Sequence, residues 1–174
     1  VEPILEELRT IKPTVVSLAF DPEGSGPDTH YKVLQVIAEA LRLWSEEEDL
    51  SELRVWGYRN VWYRFHPAEA NIIVPVSLNA MGVMDGAFTN SYLSQVDASF
   101  PSYQHDGKFS DLTKRIWVEQ LKQIQLLVGK NTFYESTSPR TRSTHGLLYF
   151  KEMKLDEFLT NARELEKSME GVVL

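Results

Sequence analysis

The sequence predicts an α/β fold: a parallel sheet with helices flanking it. Two observations carry that prediction. The run "TVVSLAF" (14–20) is short, β-branched and apolar on both faces, the pattern of a strand buried inside a parallel sheet. A loop later, Val33, Ile37 and Leu41, with Val36, Ala40 and Trp44, mark an amphipathic helix, and "LRVWGY" (53–58) reads as the next strand. Strand 14–20, helix 28–44 and strand 53–58 thus make one right-handed βαβ unit.

Taken in order, "PILEELRTIK" spaces Ile4, Leu5, Leu8 and Ile11 as a helix, tolerates Pro3 in its first turn and is stopped by Pro13. The helix from Asp28 dissolves into the acidic "SEEEDLSE", a solvated helix end and linker. "NIIVPVS" is a third strand, and "NVWYRFHPAEA" before it is either strand or long loop. Residues 78–97 read as a helix despite two internal glycines, each costing about 1 kcal/mol against Ala. "ASFPSYQHDGKFS" reads as a loop, and 111–129 as a long helix ended by Gly129. "NTFYESTSPRTRSTHG" is expected as a polar loop, "LLYFKEM" as a strand and "LDEFLTNARELEKSM" as the closing helix.

The 174 residues suit one domain with a real core, and no compositional break divides them. A net charge of −7 argues against a grip on nucleic-acid phosphates and against an anionic membrane surface as partner. There is no Cys, which excludes disulfides and thiolate metal sites and suggests a cytoplasmic setting. No apolar run reaches the ~18 residues of a membrane span. The N-terminal "VEPILEELRTIKPT" has no signal-peptide pattern and reads as the middle of a longer chain.

The candidate chemistry sits in "AFDPEGSGPDTHYKVLQVIAEAL" (19–41), where an apolar strand empties into an acidic, Gly- and Pro-rich loop before a helix. Loops at the carboxyl ends of parallel strands are where α/β sheets bind ligands. Asp28 and Thr29 are natural helix N-caps, which needs no further role. His30 adds an imidazole on the first helical turn, a possible metal ligand or simply a packing residue. One histidine is not a zinc site, which needs three or four ligands. His66, His105 and His145 lie in loops or at strand ends. There is no GxSxG elbow, P-loop or GxGxxG. "GYRNVWYRFHP" interleaves Arg59 and Arg64 with aromatic residues, which suits sugar or phosphate recognition and equally suits an alternating strand. Arg140 and Arg142 in "SPRTRSTHG" suit an anionic group or plain solvation.

With these residues in view, "VVSLAF", the acidic loop, "GPDTH" and "YKVLQVIAEAL" resemble the later half of the LmbE-like (PIG-L type) N-acetylsugar deacetylase family. Helix-opening "GPDTH" is similar to that family's His-Pro-Asp-His box, and "NSYLSQ" resembles its Ser-Gln helix motif. "FDPEGSGPDTH", "WGYRNVWYRFHPAEAN" and "SQVDASFPSY" look like the C-terminal region of long bacterial proteins that carry the name glucosamine-6-phosphate deaminase (isomerase). The resemblance covers most of the chain and is most specific from residue 14 to about 104.

What the resemblance implies is a partial Rossmann-like parallel sheet, the second half of a deacetylase-like domain, occupying all of 1–174. It implies zinc in the intact domain, with His30 as a ligand, Asp28 as a catalytic or orienting carboxylate, and Arg64, Ser94 and Gln95 near an amino-sugar or sugar-phosphate substrate. Pro27 stands where the family has the histidine that stabilises the tetrahedral intermediate. The family's Pro-His-Pro-Asp-Asp box, which supplies two ligands and the base, has no counterpart here. The chain alone is therefore expected to be inactive, as part of a hydrolase or, alternatively, as a non-catalytic accessory domain of the isomerase protein. Without its family neighbour, strand 14–20 becomes an edge, so self-association or pairing with a missing N-terminal half is expected.

Overall fold

The computed structural model describes residues 1–21, 28–59, 64–100 and 105–170; the side chains of Asp28, Gln95, Ala98 to Phe100 and Glu170 lie outside that description. Four strands form one mixed sheet in the order β1-β2-β6-β3, with helices flanking it. The chain divides into two compact units, 1–72 with 150–174, and 73–149.

The first unit opens with α1 (Glu2–Ile11), ended by Lys12 in the left-handed region at φ 48°, one residue before Pro13. Strand β1 (Val15–Ala19) follows, then α2 (Asp28–Ser45) and β2 (Arg54–Tyr58). β1 and β2 are parallel, with Val16 opposite Val55 and Ala19 opposite Tyr58. This is the βαβ unit that the periodicity predicts. The strand is an edge of the sheet, as expected for this chain alone, but it is not buried on both faces: only Leu18 is buried, while Val15 and Ser17 are exposed. Its apolar residues are used on one face only.

The sheet also departs from the all-parallel expectation. The second half of β6 (Thr144–Lys154) runs antiparallel to β2, pairing Arg54 with Lys154 and Gly57 with Lys151. The chain goes straight from β6 into α7 (Leu155–Glu170), so no crossover returns it in the parallel sense. Asn71 reinforces this strand: its amide donates to the Glu152 carbonyl at 2.9 Å and accepts from the Glu152 N–H at 2.6 Å.

One apolar core holds the unit. Leu34, Ala38, Leu41 and Trp44 on α2 meet Leu155, Phe158 and Ala162 on α7, with Leu5 and Leu8 of α1 and Leu18, Val55 and Met153 of the strands. The helical spacings of these residues are the reason the helices form where they do. Each large side chain so buried contributes roughly 1.5–3 kcal/mol.

The second unit contains β3 (Ile72–Ser77, which begins at the boundary), α3 (Leu78–Ser91), a 3-10 turn at Leu93–Gln95, and a small hairpin of β4 (Ala98–Phe100) and β5 (His105–Gly107). It continues through α4 (Phe109–Val128), the single turns α5 (Asn131–Tyr134) and α6 (Pro139–Arg142), and the first half of β6. Pro75 fits because β3 is the other edge of the sheet. Ser77 caps α3 by accepting from the Ala80 N–H. The expected helix 78–97 thus stops at Ser91, the loop 98–110 contains a hairpin, and the polar loop 131–146 contains two helical turns and the start of β6.

Across α3 and α4, Asp85 is the polar centre. It accepts from the buried Ser110 hydroxyl at 2.6 Å and lies 3.3 Å from the Lys114 amine and 3.7 Å from that of Lys108. These partners, the Ser110 hydroxyl first, hold the Asp85 carboxyl below its ordinary value. Met81, Leu112, Ile116 and Leu121 are buried in the same unit, and the Tyr149 hydroxyl donates to the Gln120 carbonyl at 2.9 Å. Burial pushes the Tyr149 phenol up.

Candidate functional site

The side chains that gather chemistry in the first unit lie just past the carboxyl ends of β1 and β2. His30 stands in the first turn of α2, and its Nδ1 lies 2.5 Å from Oδ2 of Asp21, two residues beyond β1. The Asp21 side chain is only 5% exposed and that of His30 35%. A carboxylate accepts, so the Nδ1 atom carries the shared proton, and in the neutral ring Nε2 keeps a lone pair. That is the tautomer an imidazole needs to accept a proton or bind a metal at Nε2.

Asp21 also lines a cleft of about 350 Å3. Its other walls are Phe20 and Arg59, just past the ends of β1 and β2, Lys151 within β6, and Asn161, Glu164, Leu165 and Ser168 from α7. The α7 residues recur at three- and four-residue steps, one face of a helix. Gly57 makes room for the floor. A Cβ built there would stand 2.7 Å from Cβ of Phe20, so only glycine lets the Phe20 side chain cross β2 at this point. Arg59 is fixed in several ways. Its guanidinium lies 4.2 Å over the Phe65 ring, donates to the Phe20 carbonyl at 3.4 Å, and pairs with Glu69 at 3.4 Å. Lys151 pairs with Glu157 at 3.2 Å.

The residues singled out from sequence fall as follows. His30 is beside the cleft through Asp21, a partner that sequence reasoning missed. The side chain of Asp28 lies outside the described residues; the carboxylate seen on His30 is that of Asp21. Of the two arginines in the aromatic stretch, Arg59 lines the cleft, while Arg64 is half-buried in the same unit and has partners of its own. Ser94 is exposed on the 3-10 turn of the second unit, and the side chain of Gln95 lies outside the described residues.

The other histidines have local tasks. His66 is exposed and accepts from the Ala68 N–H on Nδ1 at 3.2 Å. His105 is buried, with Nε2 2.9 Å from the Lys108 carbonyl, and His145 is exposed beside the Ser143 carbonyl.

The donor set can be tested against zinc directly. Among the described residues, no third His, Asp or Glu joins His30 and Asp21, so these residues alone do not fit a zinc ion. Also among the described residues, no helix is long and apolar enough to cross a membrane. Compared with family models, with curated proteins and with solved structures, the chain gives no match.

Proposed function

We propose that the cleft beside Asp21 is an amino-sugar site, and that the chain serves as the C-terminal part of a hydrolase of the N-acetylsugar deacetylase type. The observation that supports this most is the His30–Asp21 pair at the carboxyl end of β1, where α/β sheets place their chemistry. Nε2 of His30 accepts a proton from a water as its oxygen adds to the acyl carbon, and the buried Asp21 carboxylate stabilises the imidazolium that forms. That proton passes to the leaving amine nitrogen as the amide C–N bond breaks. Arg59 and Lys151 present positive charge to substrate oxygens, and Phe20 and Leu165 offer apolar surface to a sugar ring. Of the residues suggested by resemblance, Arg64 belongs to the same unit as this cleft.

A second reading, a non-catalytic accessory domain that binds the sugar, is favoured by Pro27 and by the incomplete ligand set among the described residues. Titration calorimetry with glucosamine and N-acetylglucosamine tests the shared claim, and hydrolysis of N-acetylglucosamine separates the two readings. We expect saturable binding that His30→Ala and Asp21→Asn each weaken about tenfold, or 1.4 kcal/mol. Binding that ignores both substitutions, or no binding of either sugar, overturns the assignment. The chain alone is expected to show no turnover; turnover abolished by His30→Ala would overturn that expectation and select the enzyme over the accessory domain.

A further inference from the structure

The cleft lining carries four formal charges, Arg59 and Lys151 against Asp21 and Glu164. Three of them are matched inside the unit: Arg59 by Glu69, Lys151 by Glu157, and Asp21 by His30. Glu164 is the exception. Among the described residues no cation pairs with its carboxylate, although it lies on the α7 face that walls the cleft, between Asn161 and Ser168. What the cleft lacks is therefore a positive charge facing α7, and a ligand can bring one.

We propose that Glu164 receives a protonated amine, so that the cleft takes hydroxylated amines, and among sugars those with a free ammonium group. N-acylation removes that charge and leaves the Glu164 carboxylate facing a neutral amide. A plain hydroxyl keeps a donor but loses the charge, and a charged donor makes the stronger bond. Asn161 and Ser168 flank Glu164 with neutral donors and acceptors suited to ring hydroxyls. Glu164 is in this view a specificity-determining residue that selects the deacylated form.

This inference rests on the amino-sugar reading above, so its test is chosen to fail separately. Glucosamine, N-acetylglucosamine and glucose are titrated into the chain and into Glu164→Gln at about pH 6, below the pKa of a simple amine. Glu164 is exposed, so the substitution should leave folding intact, which circular dichroism checks. For an exposed ion pair of about 1 kcal/mol we expect glucosamine to bind roughly fivefold tighter than the other two sugars. Glu164→Gln should erase that preference without changing N-acetylglucosamine binding. If the sugars bind equally, or the preference survives in Glu164→Gln, the role of Glu164 is overturned while the amino-sugar site stands. If none of the three binds, both fall together.

Discussion

The two units of this chain solve the same problem, holding helices on a sheet, with different materials. In the described residues of the first, Asp21 is the buried polar side chain, set at the edge of a continuous apolar cluster. The second buries His105, Ser110, Gln120 and Thr144, and ties α3 to α4 through Asp85. Apolar packing is non-directional, whereas a buried hydroxyl on a carboxylate fixes a geometry and depends on charge. The first unit should thus respond to lost volume and the second to lost charge. It also follows that a buried polar group in the first unit is the unusual one, and Asp21 is in contact with His30.

The largest effect should come from removing volume in the first unit. Phe158 is fully buried on α7 between α2 and the strands, so Phe158→Ala should cost about 3–5 kcal/mol in urea unfolding. A loss under about 1 kcal/mol would mean that the core is not packed as described.

Next in size are two glycines, one in each unit, that leave no room for a methyl group. A Cβ at Gly57 would meet the Phe20 Cβ at 2.7 Å; one at Gly146 would meet Met81 Cε at 2.6 Å and Trp117 Cβ at 2.8 Å. Each Gly→Ala substitution should cost about 1–3 kcal/mol as overpacking. The Met81 tip can swing away, but the Trp117 Cβ, like the Phe20 Cβ, is tied to the main chain, so neither substitution should be cheap. Combining Gly57→Ala with Phe20→Gly, which removes the Phe20 Cβ, should recover part of the loss; strict additivity would contradict the contact.

The smallest of these effects sharpens the charge side of the comparison. Ser110→Ala should cost about 1–2 kcal/mol at neutral pH, because it removes a bond to a charged acceptor. The Asp85 carboxyl is held below its unfolded value, so its contribution is complete above about pH 4 and is lost as pH falls through the folded-state value. The penalty of Ser110→Ala should accordingly shrink in acid, while that of Phe158→Ala should not. Parallel acid titrations of the two variants' stability would expose any failure of this contrast.

These contrasts were only partly legible in the sequence. The long helices α2, α4 and α7 and the β1-α2-β2 unit carry periodic apolar positions, and their positions can be read directly. Strand β6 could be recognised as a strand but not given a direction, because direction depends on the path of the chain and not on local pattern. The turns α5 and α6 are four residues each and the strands β4 and β5 three, too short for any period to show. Asp21 was passed over because an acid after a strand reads as ordinary turn chemistry. Its meeting with His30 closes a nine-residue separation whose geometry no spacing rule predicts. Arg59 and Arg64 share an aromatic setting, so which of them lines a cleft could not be told from composition.

The meeting of Asp21 and His30 has a consequence for how this protein tolerates insertion. One member is anchored by the end of a strand and the other by the first turn of an 18-residue helix. Lengthening such a connection is cheap, about 0.6 kcal/mol for each doubling. A designed insertion between the two anchors should therefore cost little stability and leave the contact between His30 and Asp21 in place.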